Sequence, residues 1–92
     1  MSNQKIGILA SGRGSNLQAI MDKIAEGVLP LEIAVVISDK ADAFALERAE
    51  KAGIPNFAVI RKACADKKEF EAKIDEILRV HGVELVVLAG FM

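Results

Sequence analysis

Lys5-Ile6-Gly7-Ile8-Leu9-Ala10, Ser11-Gly12-Arg13-Gly14 and Ser15-Asn16-Leu17-Gln18 run on without a break, and their reading decides the fold. The apolar run from Ile6 to Ala10 has the character of a buried strand. Beyond the glycines, Leu17, Ile20, Met21 and Ile24 recur at helical spacing. A strand therefore turns tightly into a helix. Amide hydrogens in a helix's first turn lack intrahelical acceptors, and the helix dipole adds partial positive charge there. A glycine turn feeding such a start is suited to gripping a phosphate.

Outward from this stretch the pattern repeats. Apolar runs near residues 5–11, 32–38, 56–60 and 84–89 predict four strands. Between them lie the stripe already named, a second on Leu46, Ala49 and Ala52, and a third on Phe70, Ile74, Ile77 and Leu78. Ser15 with Gln18, and Asp66 with Glu69, have the spacing of capping boxes, and Asp42 can cap the middle helix. Gly27, Gly53 and Gly82 follow the three stripes, where a helix commonly ends on a residue of positive φ.

The second and fourth strands are apolar at consecutive positions, which predicts burial on both faces and a parallel sheet. The fold class is α/β: a doubly wound, Rossmann-like parallel sheet of four strands and three helices, in spatial order 3-2-1-4. In that order the carboxyl ends of strands one and four flank the switch point where open α/β sheets bind ligands. The fourth strand would then form an apolar sheet edge. The sequence reads as one unit, residues 1–92, the incomplete half of a larger fold.

Composition narrows the function. Hydrophobic residues make up 52% of the 92 and charged residues 27%, a globular balance that excludes a disordered tail. The formal net charge of -1, with both signs interspersed, offers no basic field for a nucleic-acid backbone. No apolar run approaches the roughly 18 to 20 residues needed to cross a bilayer, and the first residues do not lead into a secretory signal. The expectation is a cytoplasmic chain that engages neither nucleic acid nor membrane.

One cysteine, Cys64, and one histidine, His81, exclude an internal disulfide and leave too few soft ligands for a zinc site. Cys64 reads as a packing residue. His81, just before Gly82, reads as a structural group at a helix end.

Three motifs in order carry a family resemblance: Ser11-Gly12-Arg13-Gly14-Ser15-Asn16-Leu17-Gln18, Ser38-Asp39-Lys40-Ala41-Asp42-Ala43, and Leu88-Ala89-Gly90-Phe91-Met92. With Leu46-Glu47-Arg48-Ala49 and Ala52-Gly53-Ile54 between them, the chain resembles the phosphoribosylglycinamide formyltransferase family over nearly its whole length. The resemblance implies formyl transfer from 10-formyltetrahydrofolate, the co-substrate, to glycinamide ribonucleotide in purine biosynthesis.

Carried over residue by residue, Gly14, Ser15 and Asn16 match the family's ribonucleotide-phosphate stretch, for which the helix start gives an independent physical reason. Met92 matches the first residue of the folate loop. Lys67 aligns with a folate-contacting basic residue that is usually Arg, and would supply a point charge without Arg's planar fork. Asp39 stands where the family's pattern has asparagine.

The resemblance places the family's catalytic Asn, His and Asp in later segments. The isolated chain is therefore expected to bind rather than turn over substrate, and to associate through its fourth-strand edge or with a missing carboxyl-terminal half.

Two other readings stand beside this one. A dinucleotide-binding module would use Gly12-x-Gly14 with Asp39 on the ribose. It lacks the third glycine, where Leu17 stands, and its acid comes 25 residues after Gly14 instead of about 20. A non-catalytic assembly piece of a split protein would be driven by the apolar edge alone.

Overall fold

The computed structural model describes residues 4–10, 15–28, 30–41 and 43–89, apart from the side chains of Ser15, Asn16, Arg61 and Ala89. Along the chain run β1 (Gln4–Ala10), α1 (Ser15–Ala25), β2 (Leu31–Ser38), α2 (Phe44–Lys51), β3 (Asn56–Ala58), a 3-10 turn (Arg61–Ala63), α3 (Lys67–Val80) and β4 (Leu85–Ala89). The strands form one sheet in the order β3-β2-β1-β4, with every pairing parallel. The doubly wound order expected from the sequence is the order found.

Each sheet face has its own core. On one face Ile6, Ile8, Ala10 and Val36 pack with Leu17 of α1 and with Ala45, Leu46 and Ala49 of α2. On the other, Leu9, Val35, Ile37 and Val59 pack with Phe70 and Ile74 of α3. Consecutive residues of β1 and β2 thus serve opposite cores, which is why these strands read as continuous apolar runs. The register slips by one residue between Ile6 and Gly7, where β2 accommodates an extra residue.

The helix ends follow local chemistry. Asp66 is the N-cap of α3, its Oδ1 accepting from the Glu69 amide at 2.9 Å. Glu69 returns an Oε2 to the amide of Ala65 at 3.0 Å, one residue before the position a standard capping box would satisfy. Gly27, Gly53 and Gly82 adopt φ of 80°, 73° and 68°, as their places after the helical stripes required.

Several expectations change. The cap of α2 is Ala43, which has no side-chain acceptor, so the cap falls one residue beyond Asp42; Asp42 itself lies outside the described residues. Ala52 is not part of the buried stripe, because α2 ends at Lys51 and leaves it exposed at the C-cap. Ser15 is already helical. The Gln18 carbonyl, which a capping box would turn back on the chain, accepts instead from Arg48 Nη1 at 3.0 Å.

The largest difference is at β4. It pairs with β1 from Ile6↔Leu85 to Ala10↔Ala89, yet Leu85, Val86 and Leu88 are exposed, Leu88 by 67%. The packed face of α3 reaches β1, β2 and Val59, not the outer strand. The expected burial of both β4 faces is therefore not met within these residues, whereas the expected apolar edge is present.

Candidate functional site

Parallel pairing brings the carboxyl ends of β1 and β4 together at Ala10↔Ala89. The chain moves from β1 toward β2 and β3 on one side, while β4 lies on the other, so the strand order reverses at this pair. α1 starts at Ser15, five residues after Ala10. α3 must run back from the carboxyl end of β3 to the amino end of β4, which puts its first residue, Lys67, at the same end of the sheet.

The backbones of Ser15 and Asn16 form the first turn of α1, and their side chains are outside the described set. Gly14 and Met92 lie outside the described residues altogether. Directly after Asn16, Leu17 is fully buried among the side chains of β1 and α2. This anchor fixes where the helix start sits against the sheet. It also bears on the dinucleotide reading, since Leu17 occupies the position at which that motif uses a glycine for close helix–strand approach.

A second tie was not visible in the sequence. Arg48 of α2 meets Gln18 across 30 residues, and Gln18 Nε2 also donates to Asp22 Oδ1 at 2.9 Å. Nothing in the spacing of Gln18 and Arg48 announces this contact. At the end of β2, Ser38 is fully buried and its Oγ accepts from the Lys40 amide at 3.1 Å, tightening the turn through the Ser38-Asp39-Lys40 motif.

Lys67 is 82% exposed, with Nζ 3.9 Å from Glu71 Oε1. So exposed and long a pair holds its ammonium weakly, leaving it available to another anion. Lys67 and Leu88 border one groove of about 420 Å³ between α3 and β4. The structure thus places Lys67 beside β4, on the opposite sheet face from α1.

His81 and Cys64 lie elsewhere. His81 is the C-cap of α3, its Nδ1 donating to the Ile77 carbonyl at 2.7 Å and its ring 5.3 Å from that of Phe57. The following residues hold the amino end of β1: the Glu84 amide donates to the Lys5 carbonyl at 2.8 Å. The histidine therefore belongs to the end of the sheet away from Ala10 and Ala89. Cys64 Sγ donates to the Ile60 carbonyl at 3.5 Å and packs against the α3-side core.

A doubly wound parallel sheet with a helix start beside its switch point defines the class as an open α/β fold, the kind that binds ligands at such points. The formyl transferase family model matches residues 4–92, and the chain belongs to that family. It is 45% identical over 89 residues to phosphoribosylglycinamide formyltransferase of Haemophilus influenzae, covering 97% of this chain and 42% of that protein. It is 42% identical over 88 residues to the trifunctional purine biosynthetic protein adenosine-3 of Bos taurus, covering 96% of this chain and 9% of that protein.

Among solved structures, glycinamide ribonucleotide transformylase 1 from Symbiobacterium toebii superposes with a TM-score of 0.93 at 47% identity, covering 99% of this chain and 43% of that one. The chain spans less than half the length of these bacterial relatives. Among the described residues, no helix is long and apolar enough to cross a membrane.

Proposed function

We propose that this chain is the ribonucleotide-binding part of a folate-dependent glycinamide ribonucleotide formyltransferase. The observation that carries the reading is the 45% identity to the Haemophilus influenzae enzyme across 97% of the chain. Gly14, Ser15 and Asn16 hold the substrate's phosphate, which takes up the amide hydrogens left over at the start of α1. Lys67 and Met92 contribute to the side that receives 10-formyltetrahydrofolate. Lys67 meets a folate carboxylate as a single mobile charge.

In the reaction the ribonucleotide's amine attacks the formyl carbon, the folate nitrogen leaves, and one proton passes from the amine to that nitrogen. The tetrahedral intermediate needs an oxyanion donor and a proton carrier within hydrogen-bond reach. The one histidine, His81, is committed to the Ile77 carbonyl at the other end of the sheet. These residues therefore bind and orient the acceptor, and turnover requires groups from elsewhere in the family's longer chains. Such groups would join at the exposed β4 edge. We place the chain in the cytoplasm, a compartment consistent with the family's purine-biosynthetic role.

Calorimetric titration of glycinamide ribonucleotide into the chain and into Asn16→Ala tests this reading. Binding that weakens in the variant supports it. Equal heats for the two proteins oppose the assignment.

A further inference from the structure

α1 and α3 treat the amides at their starts in different ways. At α3 the chain fills them from within: Asp66 Oδ1 takes the Glu69 amide, and Glu69 Oε2 reaches back four residues to the Ala65 amide at 3.0 Å. α1 carries no acidic residue in its first turn, and the side chain placed to reach back is that of Gln18. The same reach of four residues from Gln18 ends at Gly14, whose amide belongs to the proposed phosphate grip. Gln18 is instead held at both ends of its amide. Its Oε1 accepts from Arg48 Nη1 of α2 at 3.0 Å, and its Nε2 donates to Asp22 Oδ1, one turn further along α1, at 2.9 Å. A guanidinium only donates and a carboxylate only accepts, so this pair of partners fixes which way the amide points.

We propose that Arg48 is a positioning residue for the ribonucleotide's phosphate. By holding Gln18 Oε1 against α2, it keeps that carbonyl from capping α1 and leaves the Gly14 amide to the ligand. The inference rests on the reading of the α1 start as the phosphate site. Gln18 and Arg48 are both half-buried, so a carbonyl that loses its donor there is not fully repaid by water. Amides at a helix start are donors without intrahelical acceptors, and a released glutamine at this spacing turns to them. Such a glutamine must be displaced before a phosphate can enter. A neutral carbonyl bonds an amide less strongly than a phosphate oxygen does, so the ligand still binds, with lower affinity.

Arg48→Met, Gln18→Met and the double variant, each in the 92-residue chain, separate this role from a loss of structure. The first readout needs no ligand and follows hydrogen exchange of the Gly14 amide. Arg48→Met is expected to slow it by about threefold to tenfold, the effect of one added hydrogen bond, and adding Gln18→Met restores the original rate. The second is calorimetric titration with glycinamide ribonucleotide. Arg48→Met weakens binding by a similar factor, Gln18→Met alone leaves it unchanged, and the double variant recovers it. A general loosening of α1 would speed exchange and would persist in the double variant. Unchanged or faster Gly14 exchange in Arg48→Met, or binding that stays weak in the double variant, overturns the inference. If the unaltered chain takes up no ribonucleotide while the exchange pattern is as expected, the hold on Gln18 stands and the phosphate reading of the site falls.

Discussion

Arg48 donates from Nη1 to Gln18 Oε1 at 3.0 Å, joining α2 to α1 one turn past its start. Gln18 passes the tie on to Asp22. Because the helix start is the proposed phosphate grip, this bond connects a contact between two helices to the site. Arg48→Met keeps most of the aliphatic stem and removes the donor. It is expected to lower unfolding free energy by about 1 kcal/mol, as for loss of a partly exposed charged hydrogen bond. Urea denaturation of the two proteins checks it.

Leu17 carries more. It is fully buried in the core shared by α1, α2 and the sheet. Leu17→Ala is expected to cost about 2–5 kcal/mol, through lost transfer energy and the cavity left behind. An unfolding free energy from urea denaturation that falls by less than a quarter of this amount would show that α1 is not anchored as described.

Gly7 marks a close approach of a different kind. A Cβ there would fall 2.5 Å from Leu78 Cδ2 and 3.1–3.2 Å from both Val83 methyls. Leu78 can swing aside, but the stiff Val83 side chain cannot readily do so. Gly7→Ala is expected to destabilise by about 1–3 kcal/mol through overpacking. At Gly53, open space surrounds the missing Cβ and the cost comes from φ of 73° alone, about 1 kcal/mol for Gly53→Ala. Thermal unfolding of the pair separates crowding from backbone strain.

Asp66 tests local chemistry at the start of α3. Its Oδ1 satisfies one amide that the helix cannot. Asp66→Ala is expected to cost about 1 kcal/mol, with Asp66→Ser recovering most of it. Equilibrium unfolding of the three proteins gives the answer.

Much of this architecture was legible because single residues carried unambiguous physics. Gly27, Gly53 and Gly82 stopped their helices with positive φ, and Asp66 capped α3 from its own sequence neighbourhood. The runs in β1 and β2 announced two buried faces. Reading failed where a run's chemistry outlasted its structure. Residues 56–60 looked like one strand, yet β3 ends at Ala58. The Val59 amide still bonds the Ser38 carbonyl at 2.8 Å before the chain curls into the 3-10 turn. β4 lies at the edge the strand order required, but the burial of both its faces that its composition suggested is absent among the described residues, because composition reports what a strand can pack against. At the site, the helix start at Ser15 and the position of Lys67 at the head of α3 followed from pattern and topology. The Arg48–Gln18 bond did not, since tertiary contacts between polar residues leave no periodic trace.

The central claim is that unpaired amides at the start of α1 hold a sugar phosphate. The most direct measurement is the chemical-shift response of the backbone amides of Gly14 to Leu17 on titrating the chain with glycinamide ribonucleotide, and with the same molecule lacking its phosphate. The account predicts saturable shifts concentrated at these amides with the phosphorylated ligand and none with the other. Shifts of equal size with both ligands, or a phosphate-dependent response confined to residues away from this turn, would contradict it.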